Sequence, residues 1–150
     1  MEQTQEHTMI VSRTATALSA LGAAFILYIG LSYLITPETI ATGFGLPTWP
    51  QGDAVAFLNL KGVRDTVSGL LIIALLAARQ RFALGITMLV LALIPAGDML
   101  TVLSWDGSPA AAFGIHGFTA VLVALAGGLL LREHRTGTNT TVDQRVAIAA

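Results

Sequence analysis

Four long stretches of this chain are almost free of polar side chains, at about 14–35, 54–78, 82–103 and 110–131. Each approaches the roughly 20 apolar residues that cross a ~30 Å hydrocarbon core. The runs are continuous, unlike the ~10-residue alternating segments of a membrane barrel. The pattern predicts an all-α fold, a four-transmembrane-helix bundle. Thr36-Pro37 stops the first helix, and Arg79-Gln80-Arg81 separates the second from the third. Residues 1–13 and 132–150 are then polar tails around a membrane domain at 14–131, the Thr-rich second tail expected to be mobile. The loop Gly43-Phe44-Gly45-Leu46-Pro47-Thr48-Trp49-Pro50 is too apolar for a free linker. Trp49 suits the headgroup region, and the loop is expected to fold back as a lid. No internal repeat is visible, so the inverted halves of a secondary transporter are not indicated.

Composition sharpens the membrane reading. Of 150 residues, 54% are hydrophobic and only 11% charged, and mean hydropathy is +0.73. A soluble domain carries about a quarter charged residues, so a water-soluble fold of this size would lack polar side chain to cover itself. The net charge of −1 speaks against nucleic acid, which needs a concentrated basic surface. Cysteine is absent, which removes disulfides and thiolate chemistry. Glu2 and Glu6 precede the first apolar run, and no small-x-small cleavage pattern closes it. The run therefore reads as a retained helix, not a signal peptide.

Arginine placement sets an expected orientation. Arg13, Arg79, Arg81, Arg132, Arg135 and Arg145 all fall on one side of a four-span protein, and the first and third loops carry no Lys or Arg. Both termini are expected in the cytoplasm. The glycosylation acceptor Asn139-Thr140-Thr141 would then go unused. On the fourth span Ala120, Ala124 and Gly128 recur every four residues, with Gly117 and Gly127 nearby. Such spacing lets helix backbones approach closely in lipid. It suits packing within the bundle, and it is also a candidate contact between two copies of the chain.

Charges inside the spans are the candidate chemistry. The second span holds Lys61, Arg64 and Asp65, the third Asp98 and the fourth His116. One ionised residue mid-span costs about 2.5–3.5 kcal/mol, so four unpaired ones would cost roughly 10–14 kcal/mol. Pairing is the expected remedy. At 1.5 Å per residue, Lys61, Asp65, Asp98 and His116 lie roughly 10, 16, 7 and 9 Å from the outer ends of their spans. Lys61, Arg64, Asp65 and Ser68 share one face by the i, i+3, i+4, i+7 rule. Two cations and two carboxylates balance if His116 is neutral.

Asp65, Asp98, Arg64 and His116 are the candidate catalytic residues, and Lys61, Asn59, Tyr33 and Ser68 the candidate ligand contacts, with Tyr28 a further hydrogen-bonding group. Arginine forks onto carboxylates, a desolvated aspartate suits acid or base work, and histidine as a type exchanges a proton near neutrality. Pro95, one turn before Asp98, removes a backbone donor and is expected to open a small polar cavity. Structural alternatives stand beside each: charge pairs that fix helix register, a snorkelling Lys61, an Asp98 flanking a helix end, a packed His116, or a path for ions. One histidine and two aspartates on three helices lack metal-ligand spacing, so neither a metal nor a cofactor is expected.

These motifs resemble a known family. Gly43-Phe44-Gly45-Leu46-Pro47, Lys61-Gly62-Val63-Arg64-Asp65 with Gly69, Pro95-Ala96-Gly97-Asp98 and His116, in that order, look like the domain of unknown function 4267 family. The resemblance covers roughly Ala17 to Leu131. It implies a four-helix membrane protein and supplies no reaction. Three functions remain open: a membrane protein whose outer-half polar pocket binds a lipophilic small molecule, a membrane-embedded acid–base enzyme such as an isomerase or epoxide-opening hydrolase or cyclase, and an accessory subunit.

Overall fold

The structure, a computed structural model, describes the backbone of residues 2–149 and the side chains of residues 6 and 9–133. The long helix α1 (Glu2–Ile35) stops at Thr36, and Pro37 opens the short α2 (Pro37–Ala41). A loop and a 3₁₀ turn (Gly52–Val55) lead into α3 (Ala56–Ala77). The chain returns through α4 (Arg81–Leu91) and α5 (Leu93–Ser104). It then passes α6 (Pro109–Ala111) and a π-helical turn (Ala112–Gly117) into α7 (Phe118–Ala149). No strand occurs among the described residues. The expected tail over 132–150 falls largely beyond the described side chains.

Three helical segments are long and apolar enough to cross a membrane: Met9–Ile35, Arg81–Ser104 and Pro109–Glu133. The sequence pattern alone predicts four. The difference lies in α3, a helix of 22 residues whose middle carries Lys61, Arg64 and Asp65, too much charge for its length to pass on composition. The exterior of the bundle is apolar: Leu21, Phe57, Leu70, Leu93, Phe118 and Val121 all stand exposed. On a soluble monomer such a continuous surface would be out of scale. Hydroxyls inside the helices turn back onto their own backbone, as Thr16, Ser19, Thr66 and Ser68 do onto the carbonyl four residues earlier. Length, composition and this exterior together point to a membrane protein.

Two close antiparallel contacts hold the bundle. Gly62 lets α3 approach α1 until a Cβ there would meet the Gly30 carbonyl at 2.8 Å. Gly127 does the same for α7 on α4, where a Cβ would lie 2.9 Å from the Gly85 carbonyl. The close approach on α7 thus uses Gly127, one residue off the Ala120, Ala124, Gly128 stripe. Gly128 is exposed with nothing near it. Between these pairs sits the main core, built from Ala15, Ala23, Ile72, Leu84, Met88, Ala126 and Leu130.

The turn between α3 and α4 and the turn between α5 and α6 are each closed by a left-handed residue after a helix. Arg79 (φ 55°) follows α3 and Asp106 (φ 53°) follows α5. In each, the next amide reaches back to a late helix carbonyl, Gln80 N to Leu75 O at 3.0 Å and Gly107 N to Val102 O at 2.8 Å. This is the Schellman arrangement, usually built on glycine. The first loop folds onto the second such turn. Gly45 takes φ 101°, and its carbonyl accepts from Ser108 N at 2.8 Å.

Candidate functional site

The bundle forms a partly open cavity of about 430 Å³, walled by residues from α1, α2, α3, α4, α5, the π turn, α7 and the first loop. Along α1 its wall runs from Tyr33 back to Gly22, roughly 16 Å at 1.5 Å per residue. The Gly22 end is lined by Ile72, Met88 and Val123, and the Tyr33 end by Lys61, Asp65, Asp98 and His116. The space is therefore apolar over most of its length and charged at one end.

Helix geometry explains which charges reach it. With about 100° between successive residues, Asp65 lies about 40° to one side of Lys61 and Arg64 about 60° to the other. Gly62 and Gly69 turn toward α1 on the Asp65 side. Lys61, Asp65 and Ser68 consequently line the cavity. Arg64 falls outside the arc, is exposed, and stands on the apolar outer face beside Leu60 and Val67. The balance of two cations against two carboxylates therefore does not hold inside the cavity, where one lysine serves both aspartates.

Lys61 Nζ donates to Asp65 Oδ2 at 2.9 Å and lies 3.5 Å from Asp98 Oδ2, joining α3 to α5. The same ammonium sits 5.4 Å from the ring centres of Tyr33 and Phe44, within cation–π range. Asp65 is nearly sealed, its side chain 5% exposed, while that of Asp98 is 27% exposed to the cavity. Pro95 explains the placement of Asp98. Without an N–H it leaves the Leu91 carbonyl unpaired within the helix, the helix breaks between α4 and α5, and both Leu91 and Pro95 line the cavity.

His116 arrives by a different device. The π turn inserts residues with i→i+5 bonding, so the chain beyond it is rotated relative to a regular helix. Ala112 and His116 are turned inward and buried. His116 Nε2 lies 2.8 Å from the Phe44 carbonyl oxygen. A carbonyl only accepts, so Nε2 carries a hydrogen, and in the neutral ring Nδ1 is then the acceptor. Nδ1 faces Asp98 Oδ2 at 4.0 Å. The ring also stacks at 54° against Phe44, centroids 4.6 Å apart.

The remaining sequence-predicted residues are distributed differently. Tyr33 is buried on the cavity wall. Ser68 lines it too, though its hydroxyl donates to the Arg64 carbonyl. Asn59 is not brought to the cavity. Its Nδ2 donates to the Tyr33 carbonyl at 3.0 Å, covering one of the last carbonyls of α1, which a helix end leaves open. Tyr28 is exposed. Phe44 is the residue that sequence reasoning overlooked, although the apolar character of its loop was the available signal. Among the described residues, no group of three His, Cys, Asp or Glu converges as a metal site would.

A family model described as a domain of unknown function (DUF4267) matches residues 23–130, well over half of the chain. No curated protein and no solved structure matches. The matched span contains every residue of the charged cluster and the whole cavity wall except Gly22.

Proposed function

From the premise that this chain belongs to the domain of unknown function 4267 family, we propose that it is an integral membrane protein that binds a lipophilic small molecule in its intramembrane cavity. The observation that carries this reading is the cavity itself, about 430 Å³, apolar along most of its wall and charged at one end. Binding sites take this form, mostly apolar with a few convergent polar groups. The span that joins those three is α3, second in chain order. Its 22 residues extend about 33 Å, and two of its three charges turn inward, away from lipid. Arg64 remains on the lipid side, where its long stem can carry the guanidinium toward the headgroups at the first-loop end. The arginine distribution supports cytoplasmic termini.

Gly22 offers a direct test of binding. It lines the cavity, and a Cβ there would meet only Met88 Cε at 3.9 Å, so a larger side chain has room to fill the space. Native and Gly22→Leu proteins, purified in the same detergent at matched amounts, are extracted and the organic fractions compared by mass spectrometry. A compound enriched with the native chain alone is the expected result. Equal profiles would remove the support for a ligand.

A second reading, acid–base catalysis on the bound molecule, is favoured by one feature. Asp98 Oδ2 stands on the cavity wall within 4.0 Å of both Lys61 Nζ and His116 Nδ1, a setting in which a carboxylate can exchange a proton with a substrate. In that reading Asp98 is the acid or base, Asp65 its charge-coupled neighbour through Lys61, and His116 assists. Lipophilic metabolites of cells making native protein or Asp98→Asn would separate the readings. Turnover produces a compound that appears or disappears with the native chain alone, whereas binding without chemistry changes no product.

A further inference from the structure

The acceptors around Asp98 outnumber the donors. The carboxylate has two described neighbours, Lys61 Nζ at 3.5 Å and His116 Nδ1 at 4.0 Å. The lysine is committed more closely to Asp65, at 2.9 Å. His116 places Nε2 on the Phe44 carbonyl, so in the neutral ring the Nδ1 lone pair faces the Asp98 oxygen, acceptor against acceptor. The histidine is only 8% exposed. Charge is mismatched in the same direction. Asp65 and Asp98 against Lys61 leave one negative charge on the wall, since Arg64 faces outward.

We propose that the cavity selects an amphipath with a primary ammonium head, which donates to Asp98 and to His116 Nδ1 while its hydrocarbon lies toward Ile72, Met88 and Val123. The proposal rests on the reading of the cavity as a binding site and adds the chemical class of its occupant. An ammonium supplies three donors and one positive charge, which is what the gap lacks. The rings of Tyr33 and Phe44, already near a cation in Lys61, extend an environment suited to a second. A carboxylate or phosphate head would bring acceptors and negative charge to a place that has a surplus of both. An alcohol fills the donor gap and leaves the charge.

The test uses three probes of one chain length, dodecylamine, dodecanol and dodecanoate. Each is titrated calorimetrically into the full-length protein in nanodiscs of zwitterionic phospholipid, with heats on empty nanodiscs subtracted. The amine should bind at least about tenfold more tightly than the alcohol, as a charge-assisted hydrogen bond does over a neutral one, and dodecanoate most weakly. In Asp98→Asn the advantage of amine over alcohol should vanish while the alcohol still binds. Equal binding of amine and alcohol by the native protein would overturn the proposal, since it means that a proton on His116 already fills the gap, yet would leave the cavity as a binding site. Preference for dodecanoate, or an amine preference that survives in Asp98→Asn, would overturn it too. Absence of binding by all three would remove the underlying reading along with it.

Discussion

At the end of the bundle opposite the first loop, Arg81 donates from Nε and Nη2 to Glu133 Oε2 at 3.0 and 2.6 Å, from Nη1 to Thr16 Oγ1 at 3.0 Å and from Nη2 to the Ser12 carbonyl at 3.2 Å. Three helices, α1, α4 and α7, are tied by one guanidinium with an acceptor for every nitrogen. At the first-loop end Lys61 reaches two carboxylates and Asp98 faces His116 Nδ1, beside an open volume. Both corners join three helices with charged side chains. One is matched donor for acceptor, and the other is short of donors and borders a void. The first arrangement is what fastening requires. The second leaves room, and an electrostatic reason, for something that is not part of the chain.

The contrast predicts different responses to mutation. Arg81→Met should be the most damaging change, since Glu133 loses its bonds from Nε and Nη2 and three helices lose their tie. With both side chains partly exposed, a stability loss of about 2–3 kcal/mol is expected, measured by thermal unfolding in detergent. A loss below about 0.5 kcal/mol would place Arg81 among ordinary surface ion pairs and erase the contrast.

Lys61→Met should cost less, about 1–2 kcal/mol, by leaving the sealed Asp65 without its cation. Lys61→Met combined with Asp65→Leu should recover most of that loss, because removing both members of a buried pair leaves no orphan. If the double variant is as unstable as the sum of the two single ones, Lys61 acts chiefly through Asp98 instead.

Asp98→Asn should shift stability by no more than about 0.5 kcal/mol, since its carboxylate has only long contacts to lose. Unfolding of this variant beside the native chain checks the point directly. A loss as large as that of Arg81→Met would make the loop-end cluster a fastening like the other.

The smallest effect concerns the two turns. Asp106→Gly and Arg79→Gly should each add about 0.5–1 kcal/mol by relieving a left-handed residue that carries a Cβ, with ligand binding unchanged. Similar gains at both ends would show that the corners differ in polar chemistry and not in backbone quality. A variant that gained nothing would indicate that its side chain contributes a compensating contact.

Much of this was readable along the chain. Helix positions followed from apolar runs, an opening beside Pro95 from the missing donor, the apolar lid loop from its composition, and the meeting of Lys61, Asp65, Asp98 and His116 from depth counted in residues. Depth, however, is only one coordinate. The face on which a side chain stands needs the neighbour against which the helix packs, and that is why Arg64 was grouped with Lys61. The Arg81 and Glu133 tie joins residues far apart in sequence, at positions that resemble any charged flank of a span.

What the sequence determined by itself is one-dimensional: how far each segment stays apolar, where it must stop, and at what depth a charge is buried. Only the tertiary structure decided rotation and balance. Gly62 against Gly30 set the turn of α3 and so sent Arg64 outward, and a π turn rotated His116 inward until Nε2 met the Phe44 carbonyl. Whether a buried cluster is satisfied depends on angles and distances between helices, and a count of charges along the chain carries no information about either.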